Sequence, residues 1–82
     1  MEDETQREMT FGERAVGLTF NPSASVPAQQ IKERAAAFID TCNDYRNATE
    51  DGEMKRMLSV AITEAQTAQM WAVKAVTWAL KD

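Results

Sequence analysis

The chain contains no histidine, a single cysteine, three glycines and two prolines among its 82 residues. Without histidine there is no imidazole general base, no serine–histidine–aspartate triad and no zinc site of the usual kind. One cysteine, Cys42, cannot form a disulfide within the chain, and it fits a reducing compartment. Positive charge is also scarce, with 9 Lys and Arg against 13 Asp and Glu and a net charge of −4. Polymeric nucleic acid is therefore not an expected partner, because its binding relies on a basic footprint that releases counterions. A small anion remains compatible with this balance where a few Lys or Arg gather locally. No apolar run approaches the roughly 20 residues that a bilayer span requires, so no membrane partner is expected. The opening MEDETQREMT is acidic and polar, the opposite of a secretory signal, and a cytoplasmic location is the expectation.

What is present is helix-forming apolar sequence in excess of what one small chain can cover. Ala68 to Leu80 (AQMWAVKAVTWAL) is interrupted only by Gln69, Lys74 and Thr77. A helix that is apolar on nearly every side must be buried on every side. A lone domain of this size buries only about 60% of its unfolded surface. Other copies of the chain, or a partner, must cover the remainder.

The first ten residues read as a flexible acidic arm, and residues 11–82 as one helical domain. Phe11 to Phe20 (FGERAVGLTF) mixes Phe11, Val16, Leu18 and Phe20 with Gly12 and Gly17, which predicts an irregular packed segment containing at most a short helical turn. Asn21-Pro22-Ser23 marks a turn. Ser25 then suits an N-cap and Pro27 the first turn of a helix over about 27–46. Its apolar stripe is Ala28, Ile31, Ala35, Phe38, Cys42 and Tyr45, with Lys32, Glu33, Asp40 and Asn43 on the opposite face. After the polar NATEDG connection, with Thr49 or Asn47 as N-cap, a second helix spans about 50–80. Met54, Leu58, Ala61, Ala65, Ala68, Ala72, Ala75 and Ala79 form its small-residue seam. The predicted fold is all-α: an antiparallel αα-hairpin with an irregular N-terminal segment. The seam packs on the first helix or on another subunit, and the apolar arc beyond it goes to a subunit interface.

Few side chains offer chemistry. Glu50, Asp51 and Glu53 stand where helix starts carry acids for structural reasons. Cys42 reads as a buried small hydrophobe. Trp71, Lys74 and Trp78 share a helical face, which suits an interface ridge better than an anion site framed by indoles. Arg14, Lys32 and Arg34 are candidate anion contacts, each with a neighbouring acid that gives an ordinary ion pair as the alternative. Phe11, Phe20 and Tyr45 offer flat surfaces for bases. Neither catalytic residues nor a metal or cofactor site can be assembled from this set.

The segments FGERAVGLTFNPS, IKERAAAFID and AITEAQTAQMWAVKAVTW resemble the phage hairpin-domain proteins that act as cyclic-oligonucleotide sponges, the anti-CBASS and anti-Thoeris inhibitors. The resemblance runs from about Phe11 to Trp78. It implies a small helical hairpin assembled into a symmetric homo-oligomer, typically a hexamer, in the host cytoplasm. It implies binding of cyclic di- or trinucleotides without cleavage. Lys32 stands at the position of a ligand-contacting lysine, and Phe20-Asn21-Pro22-Ser23 replaces a Tyr-Arg-x-Leu-Ser stretch at a shorter distance from it. The ligand set implied is Phe11, Gly12, Arg14, Phe20, Asn21, Ser23 and Lys32, with Arg34, Thr67 and Ala68 near a second class of pocket. The competing reading is an oligomeric helical adaptor that docks a protein through its surplus apolar face.

Overall fold

The computed structural model describes residues 8–78, which form three helices and, among these residues, no strand. They are α1 (Phe11–Ala15), α2 (Val26–Ala48) and α3 (Gly52–Val76). Of the expected acidic arm over residues 1–10, residues 1–7 lie outside the described residues, as does the expected last turn of the second helix with Ala79 and Leu80; Thr10, the last residue of that arm, is engaged as the cap of α1.

Each boundary has a local cause. A capping box opens α1: Thr10 Oγ1 accepts from the Glu13 N–H and Glu13 Oε1 accepts from the Thr10 N–H, both at 3.0 Å. Five residues later α1 closes in a Schellman motif. The Leu18 N–H donates to Glu13 O at 3.0 Å and the Gly17 N–H to Arg14 O at 3.2 Å. Gly17 takes the left-handed φ of +62° that this motif demands. Ser25 caps α2, accepting from the Ala28 N–H at 3.2 Å, with Pro27 in the first turn as expected. The cap of α3 is Asp51, not Thr49 or Asn47. Its carboxylate reaches two amides, those of Glu53 at 2.9 Å and Met54 at 3.2 Å. Thr49 is instead spent on ending α2, where its N–H donates to Tyr45 O. Glu53 pairs with Arg56, whose guanidinium holds its carboxyl below the ordinary range on an exposed surface.

The hairpin forms as α2 packs along α3, and α1 packs across the other flank of α2. Serving two neighbours changes which arc of α2 is buried. Ala28 and Cys42 of the expected stripe face inward, but Phe38 and Tyr45 stand exposed, and the buried arc runs through Lys32, Ala36 and Ile39. The core is Val16, Ala36, Ile39, Cys42 and Ile62, flanked by Leu18, Leu58, Ala61 and Ala65. Cys42 is thus a packing residue. Leu58, Ala61 and Ala65 place the first half of the alanine seam against this core; farther along, Ala68 and Ala75 are exposed.

Small residues set the spacing between α1 and α2. A Cβ at Gly12 would lie 2.2 Å from the Ala36 carbonyl oxygen. The Gly12 N–H instead donates to Asp40 Oδ1 at 2.7 Å, fixing α1 to α2. That attachment determines where the chain after α1 lies.

Candidate functional site

The segment from Gly17 to Ser25 folds over the N-terminal half of α2. Its turn is tied internally by Asn21. The Asn21 amide donates to Ser25 O at 2.9 Å and to Gln29 Oε1 at 3.3 Å, and its oxygen accepts from the Ser25 N–H at 3.2 Å. Two carbonyl oxygens of this segment, those of Gly17 and Phe20, converge on one group, the Lys32 ammonium. It donates to Gly17 O at 3.0 Å and to Phe20 O.

Lys32 is therefore not on a solvated face. It is 6% exposed, because α1, the turn and α3 close around the arc of α2 that carries it. Among the described residues no carboxylate lies within ion-pair distance of it. Burying an ammonium without an acid is costly. Two carbonyl dipoles offset part of that cost, and the face of the Phe20 ring, 5.4 Å from Nζ, offsets a little more. An ammonium has three donors. Two are used, and the third is available to an acceptor from outside.

Two clefts open beside this group. One, of about 340 Å³, lies between the Phe20–Ser23 turn, Ala28 and Lys32 of α2, and Val73 and Thr77 of α3. The second, of about 480 Å³, lies on the α1 side, where Arg14 and Gly17 face Gln69, Met70 and Val73. Phe20, Lys32 and Val73 line both. Phe20 is 72% exposed, a large aromatic ring held in water by a turn that Asn21 braces. The arrangement offers a buried cation, an exposed flat ring and an exposed guanidinium side by side.

The structure gathers Arg14, Phe20, Asn21, Ser23 and Lys32 from the sequence-derived set at these clefts. Asn21 serves there mainly as the brace of the turn. The other five residues lie elsewhere within one protomer. Phe11 stands at the far end of α1 beneath the Arg46 guanidinium, 5.5 Å from its ring centre. Gly12 is buried with its N–H already donated to Asp40. Arg34 is exposed on α2, and Thr67 and Ala68 are exposed on α3, with the Thr67 hydroxyl donating to Thr63 O at 3.3 Å.

Sequence reasoning missed the contribution of the end of α3. Gln69 and Thr77 line the clefts, and both were visible as polar interruptions of an otherwise apolar run. The third interruption, Lys74, lies over the Trp71 ring at 5.4 Å, on an open apolar surface with Ala75 and Trp78. Among the described residues no group of His, Cys, Asp and Glu is placed to hold a metal ion, and no helix is long and apolar enough to cross a membrane.

A family model described as the Acb2/Tad1 hairpin domain matches residues 13–77. That interval contains every residue named as lining the two clefts. No curated protein and no solved structure gives a significant match.

Proposed function

Because the chain belongs to the Acb2/Tad1 hairpin-domain family, we propose that it is a phage-encoded sponge that binds cyclic di- or trinucleotide immune messengers in the host cytoplasm and holds them without cleavage. The observation that carries this reading is the buried Lys32 ammonium, which has no acid partner among the described residues and stands beside the exposed Phe20 ring where two clefts meet. A phosphate supplies the missing counter-charge, and a charge-assisted contact of this kind is among the stronger hydrogen bonds. A base stacked on Phe20 covers the ring. Arg14 supplies a second phosphate donor across the α1 cleft.

The clefts also support a homo-oligomer, with a hexamer as the expected form. At about 340 and 480 Å³ they fall toward the lower part of the roughly 300–1,000 Å³ range of small-molecule sites. A second protomer laid over the open side completes the enclosure. Its footing is the exposed apolar surface of α3, where Trp71 is 66% exposed. Trp71→Asp is expected to shift the protein to smaller species, since a charge in an apolar interface is costly. Light scattering at micromolar concentration reads the change, and an unchanged mass for Trp71→Asp would remove this face from the interface.

Phe20 allows a test that spares the fold. Its ring is mostly in water, so Phe20→Ala costs little stability. Lost stacking, roughly 1–3 kcal/mol per base, weakens binding by about tenfold or more. Equal affinity of Phe20→Ala and wild type would show that no base lies on the ring.

The same exposed α3 surface is what a helical adaptor for another protein needs. One experiment separates the readings: incubation with a panel of cyclic di- and trinucleotides, washing, denaturation and chromatography of what is released. Intact ligand identifies a sponge, cleaved ligand an enzyme, and no retained ligand an adaptor.

A further inference from the structure

Among the described residues one buried side-chain polar atom has no hydrogen-bond partner, the Oε1 of Gln69. Gln69 is 8% exposed and lines the α1-side cleft together with Arg14, Gly17, Phe20 and Lys32. No hydrogen bond holds either end of its amide. An unpaired buried amide forfeits its hydration without return, and methionine or leucine at the same place would avoid that penalty. Its neighbours along α3, Met70 and Val73, are apolar and give it no partner. A ligand group in the cleft is what completes it.

We infer that Gln69 reads the 1,6-edge of a purine in this cleft, and that it accepts adenine and guanine alike by turning its amide over. This rests on the ligand class proposed above. Adenine presents an N–H donor at position 6 and an acceptor at position 1. Guanine presents the reverse, an acceptor at position 6 and an N–H donor at position 1. A carboxamide carries one acceptor and one donor side by side. Rotation about its last side-chain bond exchanges them with no change of shape, and that torsion is soft. An amide fixed by other hydrogen bonds selects one purine; the unpinned amide of Gln69 meets both in the same stacked position. Phosphate recognition stays with Lys32 and Arg14.

The test is calorimetry of wild type, Gln69→Met and Gln69→Glu against the adenine and guanine forms of a cyclic di- or trinucleotide of the same ring size. Wild type binds the two forms within about tenfold of each other. Gln69→Met weakens both by about tenfold, the worth of a lost hydrogen bond of this kind. Gln69→Glu presents only acceptors: guanine still gives it two N–H donors, at positions 1 and 2, whereas adenine gives one, at position 6, and sets its position-1 lone pair against the carboxylate, so the affinity ratio moves at least about tenfold toward guanine. That ratio is internal to one protein and does not depend on its active fraction. Circular dichroism and light scattering accompany each variant. Unchanged affinities in Gln69→Met, or an unchanged ratio in Gln69→Glu, overturn the assignment while leaving the sponge reading intact. A wild type that retains only pyrimidine cyclic nucleotides overturns the assignment alone, and one that retains no cyclic nucleotide at all overturns both.

Discussion

Lys32→Met is expected to weaken cyclic-nucleotide binding by about a hundredfold and to lower thermal stability at the same time. The first effect follows from removing the one buried cation that the described residues place at the cleft, since charge-assisted contacts contribute roughly 1.5–3 kcal/mol. The second follows because Phe20 O loses the Lys32 donor and Gly17 O keeps only the Phe20 N–H, at 2.9 Å, so the turn is no longer tied to α2. A lost hydrogen bond to a charged group costs about 1.5–3 kcal/mol. Salt separates the two effects. Wild-type affinity falls as ionic strength rises, because phosphate contacts are screened, whereas the residual binding of Lys32→Met falls less steeply, with only the Arg14 contact left to screen. Affinity within threefold of wild type, with the same salt slope, would show that Lys32 serves the turn alone.

Gly12→Ala is expected to be the most damaging single methyl group in the chain. Its Cβ would sit 2.2 Å from the Ala36 carbonyl oxygen and 2.9 Å from Asp40 Oδ1. Neither backbone can yield without moving α1 off α2. Overpacking costs of about 3 kcal/mol correspond to a fall in Tm on the order of 10–20 °C for a domain of this size. Binding falls as well, because α1 positions Arg14 and the chain leading to Phe20. Thermal unfolding followed by circular dichroism gives the answer. A Tm within 2 °C of wild type would mean that α1 is not seated on α2 as described.

Much of the architecture was legible in the sequence because the causes are local. The Ser25 cap, Pro27 and the polar NATEDG connection each determine structure within a few residues. The Schellman close of α1 was legible too, in the Glu13-to-Leu18 spacing around Gly17, but it was read as irregularity. The phase of α2 was misread for a different reason. Periodicity counts apolar residues and assumes a single neighbour, whereas α2 has two. Its inward arc therefore includes Lys32, whose aliphatic stem packs while its ammonium finds backbone carbonyls. A lysine buried by partners distant in sequence, at Gly17 and Phe20, leaves no mark in the pattern around it. The site was half legible. The turn is legible in Asn21-Pro22-Ser23, and Lys32 stands out as a candidate anion contact that family resemblance makes a ligand position, but Gln69 and Thr77 enter from α3 by tertiary packing. Their one sequence signal was that they broke an apolar run, Thr77 doing so as the C-cap of α3, where its hydroxyl donates to Val73 O at 2.8 Å.

If Lys32 and Phe20 together hold one nucleotide, a crystal structure of the protein with a cyclic nucleotide that it retains will show a phosphate oxygen at about 2.7–2.9 Å from Lys32 Nζ, with a base stacked on the Phe20 ring. A ligand bound with its phosphates away from Lys32 and with Phe20 bare to solvent would contradict it.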